Sequence, residues 1–229
     1  MQGHAKAQTN SESVDNYLKA ILALGGQQDR LVTGKELAEH LHVAPASVTN
    51  MLQKLAALPE PPVIYEMHRG VRLSAAGRKR ALEVVRHHRL IETFLFEVLD
   101  YPLEEVHDEA ERLEHFISER FEDRIAAKLG HPRIDPHGHC IPELDGRMPV
   151  STAIPLAQTA GEGPFIVISI EDRDVATLKT LRNAGVRPGA RIEVRKRTAA
   201  GQLKVELGTS RALLSPRSAS AVWVQTEYR

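Results

Sequence analysis

Two stretches of this sequence carry side chains able to hold a metal ion. The run VHDEAERLEHF places His107, Glu111, Glu114 and His115 at i, i+4, i+7 and i+8. On a helix advancing 100° per residue these fall on one face, within roughly a third of a turn. Ala110, Leu113 and Ile117 lie on the adjoining face, so the polar stripe borders a core. One helix earlier, His88 and Glu92 repeat the i, i+4 spacing of His and Glu. Imidazole nitrogen and carboxylate oxygen suit manganese, iron, zinc and cobalt, and a divalent cation relieves repulsion between clustered carboxylates. A lone His/Glu pair reads as a solvated helix face; two such faces on consecutive helices, one bordered by apolar residues, point to metal. His137, His139 and Cys140, within DPHGHC, have the atoms for zinc. A turn of that composition reads first as an ordered linker, and they are left out of the expected ligand set.

A second constellation has the chemistry of DNA recognition. Thr33 followed by Glu36 is a capping box that opens a short helix through Leu41. His42-Val43-Ala44 makes a tight turn, and Pro45 starts a second helix to about Leu58, where its missing N–H costs nothing. Ala38 at the close approach of the two helices, Val43 in the turn and Val48 facing inward complete a helix–turn–helix pattern. Ala46, Ser47, Thr49 and Asn50 then lie on the recognition helix, small enough to enter a major groove and able to bond base edges or touch thymine methyls. Val63–Glu66, a turn at residues 68–70 and Val71–Leu73 read as a β-hairpin. Arg69 and Arg72 are expected at its tip, as a wing laid along phosphates would present them.

The elements around these residues follow from periodicity. The first twelve or so residues read as a disordered tail. Val14, Tyr17, Leu18, Ile21, Leu22 and Leu24 then mark a helix that stops at Gly25-Gly26. Ser74 to Leu99 is a long amphipathic helix with Leu82, Val85, Leu90, Ile91, Phe94, Leu95 and Val98 on its apolar side, and a further single helix is expected from about Leu103 to Leu129. Residues 131–155 are rich in Pro, Gly, Asp and His and read as turns and linker. Beyond them the texture is β, with strands at about 165–170, 190–194, 203–207 and 221–224, spaced as in a small SH3-like barrel. The fold class is α+β, with domains at 1–74 (winged helix–turn–helix and tail), 75–144 (helical), 158–229 (barrel) and a linker at 145–157.

Composition narrows the classes. The 229 residues carry 42% hydrophobic and 26% charged side chains, ordinary for a globular chain. No apolar run approaches the ~18 residues of a membrane span, and the polar N-terminus has no apolar signal region, so a cytoplasmic protein without a membrane partner is expected. One cysteine rules out an intramolecular disulfide framework. Thirty basic and thirty acidic residues cancel, but they are not spread evenly. Residues 62–80 hold five basic residues against one acid, residues 104–123 hold nine acids against two arginines, and seven of eleven histidines lie from His87 to His139. No Walker A loop, G-x-G-x-x-G, G-x-S-x-G, H-E-x-x-H or C-x-x-C occurs, so binding rather than catalysis is expected.

Taken together, SVDNYLKAILAL, YEMHRGVRLSAAGR, HHRLIETFL, VHDEAERLEH, DPHGHCIP and RNAGVRPGARIEV resemble the diphtheria toxin repressor family of metal-dependent transcriptional regulators over nearly the whole chain. The resemblance implies a homodimer with a winged-helix domain, a helical dimerisation and metal-sensing domain and an SH3-like domain, binding a double-stranded operator. It implies that Glu111, Glu114 and His115 are primary-site ligands and that His88, Glu92 and His107 form an ancillary site, with Asp174 at the position of its SH3-like acidic ligand. His88 also matches a residue of the paired site of manganese regulators, so its assignment stays open between the two. The family's N-terminal ligand falls on Asn16, next to Asp15, so either Asp15 reaches in or this arm is weak. A second SH3-like ligand aligns with Thr177, which departs from the family pattern. Where iron regulators have cysteine and methionine, this chain has Glu111 and no nearby methionine, and the expected cofactor is Mn²⁺, with Fe²⁺ the alternative. The reading is a metal-activated repressor of metal-uptake genes. Its rivals are a winged-helix protein answering an organic effector, disfavoured by 4% aromatic content, and a metal-buffering protein that binds no DNA.

Overall fold

The computed structural model describes residues 2–26 and 28–227, with side chains from residue 12 onward. By compactness the chain divides into two units: Met1–His87 with Glu114–Ile117 and Pro142–Met148, and His88–Leu113 with Ser118–Ile141 and Pro149–Arg229.

The first unit begins with α1 (Gln2–Gly25). The first twelve or so residues, expected as a disordered tail, instead belong from Gln2 onward to the backbone of α1; their side chains through residue 11 lie outside the described residues. The helix ends where Gly26 takes φ +63, a left-handed conformation that glycine adopts without steric cost. In α2 (Gly34–Leu41) the Thr33 hydroxyl accepts from the Glu36 N–H and the Glu36 carboxylate accepts from the Thr33 N–H, so the capping box is complete. His42, in the left-handed region at φ 53, turns the chain into α3 (Pro45–Ala56) with Pro45 in its first turn. β1 (Val63–Glu66) and β2 (Gly70–Leu73) pair antiparallel, from Val63 with Leu73 to Glu66 with Gly70. Leu18, Ile21, Leu37, Val48, Leu52, Val63 and Val71 form one buried core, which fixes the recognition helix against the helices behind it and the hairpin beside it. At about 1.5–3 kcal/mol for each fully buried aliphatic side chain, this core is the main favourable term holding the winged helix together.

α4 (Ala75–Leu99) starts in the first unit and continues in the second. Leu82, Leu90, Ile91 and Leu95 are buried on the expected apolar side, with Phe94 and Val85 partly buried; Val84 is buried instead of Val85, and Val98 is exposed. The expected helix over 103–129 is two helices, α5 (Val106–Leu113) and α6 (Glu119–Lys128). The break has a local cause. Ser118 accepts from the Phe121 N–H and starts α6 as its N-cap, and a residue in a cap has extended backbone that cannot continue a preceding helix. Leu90, Ile125, Ala126 and Ile141 pack together in the second unit.

The remainder of the second unit is a six-stranded antiparallel sheet of β3 (Ile154–Pro155), β4 (Gly163–Ile170), β5 (Arg191–Arg197), β6 (Leu203–Leu207), β7 (Ser210–Leu214) and β8 (Val222–Thr226). Its order is β3-β8-β4-β5-β6-β7, with α7 (Val175–Asn183) and α8 (Pro216–Ser220) covering it. β7 was not expected. Its Ser210-Arg-Ala-Leu-Leu burial pattern is mostly exposed, so it lacks the alternation that marks a half-buried strand, and hairpin pairing with β6 defines it. Alternating residues of the other strands, including Val167, Ile192, Val194, Leu203, Val205, Val222 and Val224, fill the barrel core.

Candidate metal centre and nucleic-acid interface

In the second unit, histidine and carboxylate side chains converge on the buried end of Glu92. Its Oε1 lies 3.0 Å from His88 Nε2, 3.4 Å from His107 Nδ1 and 3.7 Å from His137 Nδ1. Asp172, in the turn after β4, brings Oδ2 within 3.7 Å of His107 Nδ1, 4.0 Å of His137 Nδ1 and 3.5 Å of His139 Nδ1. Glu111 Oε1 stands 3.9 Å from His88 Nδ1. Two sets, His88–Glu92–His107 and Glu92–His137–Asp172, have ligand atoms within 4.8 Å of one another. Each side chain has an assigned carrier: α4 supplies His88 and Glu92, one turn apart, α5 supplies His107 and Glu111, and the loops supply the rest.

His137 and His139 are therefore part of the cluster that the sequence reading set aside. Asp135 explains their position. Its Oδ1 accepts from the N–H groups of both His137 and His139, each at 2.9 Å, closing an Asx turn. Gly138 in the middle of that turn has φ +89, and a Cβ there would stand 2.0 Å from the carbonyl oxygen of Ile168. Glycine lets the loop press against β4, where the Ile170 N–H donates to the His137 carbonyl. The His137 Nε2 lies 3.2 Å from the Leu103 carbonyl. Donation there leaves Nδ1 as the lone-pair nitrogen whenever the ring is neutral, directed at Glu92 and Asp172.

Charge and burial act against each other here. Burial pushes the Glu92 carboxyl up, but the His88, His107 and His137 rings outweigh it and hold the group well below its ordinary value. Burial likewise opposes ionisation of Asp172, and the neighbouring histidines hold it down. For His137 burial lowers the pKa, while Glu92, Asp172 and Asp135 outweigh that and raise it to about 9; His139 is raised in the same way by Asp135 and Asp172. Glu92 Oε2, Asp135 Oδ2 and His137 Nδ1 are nevertheless buried without a hydrogen bond. Buried polar atoms are rarely left so, and a divalent cation drawing on these nitrogen and oxygen lone pairs would satisfy them. The residues fit a metal.

Asp174, expected as the acidic ligand of the barrel, does something else. It is the N-cap of α7, accepting from the Thr177 N–H and hydroxyl, and it pairs with Arg217 at 2.6 Å. Thr177 is its capping partner. Asp172, two residues earlier, is the acid that reaches the histidines.

The first unit holds a second group of donors. Asp15 and Asn16 lie on α1, and Glu114 and His115 in the break after α5, so these two are not on one continuous helical face with His107 and Glu111 as expected. The His87 Nδ1, 3.2 Å from the Glu114 carbonyl, ties that break to α4. His115 Nδ1 lies 3.5 Å from Asp15 Oδ2 and its Nε2 3.2 Å from Glu114 Oε1, yet neither contact has hydrogen-bond geometry and both nitrogens are buried without a partner of that kind, as is Asn16 Oδ1. Burial pushes Asp15 up, and His115 and Arg80 together hold it below its ordinary value. Arg80 Nε donates to Asp15 Oδ1 at 2.6 Å. Lys19, whose sequence position gave no hint of a role, places Nζ 2.6 and 2.9 Å from the two oxygens of Glu114.

On the DNA-reading side, Ala46, Ser47, Thr49 and Asn50 are all exposed on α3 while Val48 is fully buried. The Thr49 hydroxyl donates back to the Pro45 carbonyl at 3.2 Å. A cavity of about 330 Å³ lies between the recognition helix and the hairpin, bordered by Thr49, Gln53, Tyr65, Met67, His68 and Arg69. Arg69 sits in the exposed turn, paired with Glu66 at 2.5 Å. Arg72 is not at the tip as expected: it lies within β2 opposite Ile64, half-buried. The hairpin therefore offers one arginine at its tip and one along its flank.

A winged helix–turn–helix with an exposed recognition helix, joined in one chain to buried His/carboxylate clusters and an SH3-like barrel, defines a metal-responsive DNA-binding regulator. The chain matches three family descriptions in order: "Iron dependent repressor, N-terminal DNA binding domain" over residues 10–71, "Iron dependent repressor, metal binding and dimerisation domain" over 74–143, and "FeoA domain" over 154–226. It is 32% identical over 171 residues to the iron-dependent repressor IdeR of Mycobacterium leprae, covering 69% of this chain and 74% of that protein. To the HTH-type transcriptional regulator MntR of Bacillus pumilus it is 34% identical over 113 residues, covering 49% of this chain and 76% of that one. Among solved structures, a manganese-dependent transcriptional repressor in complex with manganese superposes with TM-score 0.86 at 36% identity, covering 93% of this chain and all of the other. ScaR with bound Zn²⁺ gives 0.79 at 31%, covering 93% and 99%. This protein belongs to the iron-dependent (diphtheria toxin) repressor family of metal-dependent transcriptional regulators. Among the described residues no helix is long and apolar enough to cross a membrane.

Proposed function

We propose that the protein is a manganese-activated repressor that binds a double-stranded operator as a homodimer and controls genes of metal uptake. The observation that carries the metal assignment is the donor set. Candidate groups among the described residues draw on His nitrogen and carboxylate oxygen, with no thiolate, and carboxylate oxygens suit Mn²⁺. His88, Glu92, His107, His137 and Asp172 would hold one ion, with Glu111 beside His88 in the same unit; Glu114, His115 and Asp15, with Asn16 beside it, would supply donors for a second. The bound ion supplies a fixed positive charge that orders these side chains. Free energy of coordination available to only one conformation shifts the population toward it, so metal and operator reinforce each other. Ala46, Ser47, Thr49 and Asn50 read bases, and Arg69 and Arg72 hold phosphates. Phe96, Leu99 and Phe121 are 41%, 50% and 49% exposed, and large apolar side chains left open in this way favour a second copy as their cover.

An iron-responsive reading has its own support in the relatives named iron-dependent, and Fe²⁺ accepts the same ligands. Anaerobic operator-binding titrations with Mn²⁺, Fe²⁺, Zn²⁺ and Co²⁺, each with a chelator control, separate the two. Activation by Mn²⁺ at lower free concentration than Fe²⁺ is expected, and activation by iron alone removes the manganese reading. Operator binding unaffected by chelator removes the metal-activated reading altogether.

A further inference from the structure

We propose that Lys19 is a resident counter-cation for the Glu114 carboxylate, and that binding of metal to Glu114 is an exchange of one cation for another, so that Lys19 sets the threshold of the sensor. The proposal rests on the reading of Glu114 as a metal ligand. Lys19 lies one helical turn after Asp15 on α1, and its ammonium stands 2.6 and 2.9 Å from both oxygens of Glu114. The Glu114 side chain is fully buried, while that of Lys19 keeps 13% of its surface open to solvent. A buried carboxylate needs a cation or several hydrogen-bond donors, and here an ammonium faces both oxygens. Those oxygens offer their lone pairs to one cation at a time at this distance, because a divalent ion beside an ammonium 3 Å away is strongly repelled in a buried site. Lys19 also has the means to leave, with a flexible four-carbon stem and an edge at the surface.

Arg80 plays a different part. It donates to one oxygen of Asp15, and the other oxygen faces His115 at 3.5 Å. Asp15 can thus keep its arginine while turning a second oxygen to the donor set; Glu114 cannot keep its lysine in the same way. The neutral Asn16, whose Oδ1 is buried without a partner, adds no charge to help expel the ammonium.

The test measures Mn²⁺ dissociation constants by calorimetry on the full chain, with thermal melts of the metal-free protein, for Lys19→Met, Lys19→Gln and Lys19→Arg. Lys19→Met and Lys19→Gln should bind Mn²⁺ roughly tenfold more tightly, the factor expected when an ammonium-free conformer makes up about a tenth of the population. Both should melt lower without metal, because Glu114 loses its counter-charge. Lys19→Arg should weaken Mn²⁺ binding, since a guanidinium forks onto a carboxylate more firmly than an ammonium. Unchanged or weaker Mn²⁺ affinity in both neutral variants overturns the exchange. Glu114→Gln, alone and combined with Lys19→Met, tests the foundation separately: wild-type Mn²⁺ affinity there removes Glu114 from the metal site, whatever the lysine variants do.

Discussion

Metal binding at the Glu92 centre should expel protons, and the number follows from the structure. Glu92 and Asp172 are held below their ordinary values, so both are already anionic near neutrality and release none. His137 is raised to about 9 by Glu92, Asp172 and Asp135. At pH 7.5 roughly nine-tenths or more of these rings carry both protons, and Nδ1 must lose one before it can coordinate. The cost of that proton is about 1.5 pKa units at 1.36 kcal/mol each, or about 2 kcal/mol, a factor of roughly 30 in apparent affinity. His139, raised by Asp135 and Asp172, adds a further fraction of a proton if it is drawn in. Calorimetric Mn²⁺ titrations in buffers of different ionisation enthalpy should therefore report between one and two protons released at this centre, with affinity climbing toward pH 9 rather than levelling off near 6.5. The linkage to folding runs the other way. A histidine whose pKa is raised in the folded state contributes stability that is complete below the unfolded value of about 6.5 and lost as pH rises through about 9. The metal-free protein should thus melt lower between pH 6.5 and 9 while Mn²⁺ binds more tightly over the same window. Glu92→Gln, which takes away the anion nearest three rings, should suppress both trends. Release of less than half a proton, or affinity flat from pH 6.5 to 8.5, would refute the assignment of a protonated His137 at this site.

Arg69→Ala with Arg72→Ala should weaken binding to any duplex and flatten the dependence of log K on log salt by about 0.9 per lost phosphate contact; fluorescence anisotropy across a salt series reads this, and an unaltered slope removes the hairpin from the interface. Asn50→Ala should instead cost on the order of 1–3 kcal/mol of discrimination between operator and random DNA while leaving random-sequence affinity in place. Gly138→Ala puts a Cβ 2.0 Å from the Ile168 carbonyl at φ +89, so it should lower the melting temperature and weaken metal binding together; wild-type values for both would mean that the loop yields freely. Glu36 is held at about 2 by Arg30 and by the Thr33 N–H and hydroxyl, so its contribution is present above about pH 4.5 and lost as pH falls through about 2. Glu36→Gln should cost roughly 1 kcal/mol of cap stability at neutral pH and remove that acid-limb dependence in a pH series of chemical denaturations.

The winged helix was legible because local rules fix its parts. Thr33 and Glu36 start α2 through hydrogen bonds that any sequence with this spacing can make, Pro45 starts α3, and Val48 must point inward if Ser47 and Thr49 point out. Hydrophobic period and caps therefore decide the element order without reference to the rest of the chain. The long helix expected over residues 103–129 shows where such rules stop. Its i, i+4 spacing of apolar and polar residues continues through the break, but Ser118 makes a better N-cap than an interior residue. A serine in mid-pattern was the available signal. β7 failed for the opposite reason: its burial is one-sided and weak, and only the pairing partner β6 makes it a strand.

The metal donors divide along the same line. His88 and Glu92, and His107 and Glu111, are one turn apart on single helices, so spacing alone brings each pair to one face. His137 and Asp172 come from loops, where spacing carries no distance, and the composition of DPHGH pointed to a turn before it pointed to a ligand. Both descriptions hold at once: the Asp135 carboxylate closes the turn, and closing it is what aims His137 toward Glu92. Asp174, expected as the ligand, and Asp172, which reaches the histidines, stand two residues apart in the same short loop. An acid two positions before a helix and an acid at its N-cap look alike in sequence, but the cap position commits a carboxylate to the N–H and hydroxyl of the residue three ahead, here Thr177. An aspartate followed by threonine at that spacing and then by the apolar run of a helix is already spoken for, which leaves the earlier aspartate as the side chain able to reach histidines. Lys19 extends the logic to charge. Its spacing from Asp15 gives it a place on α1 but no partner; that partner, Glu114, is distant in the chain and becomes visible only when the helix break carries a buried carboxylate to it.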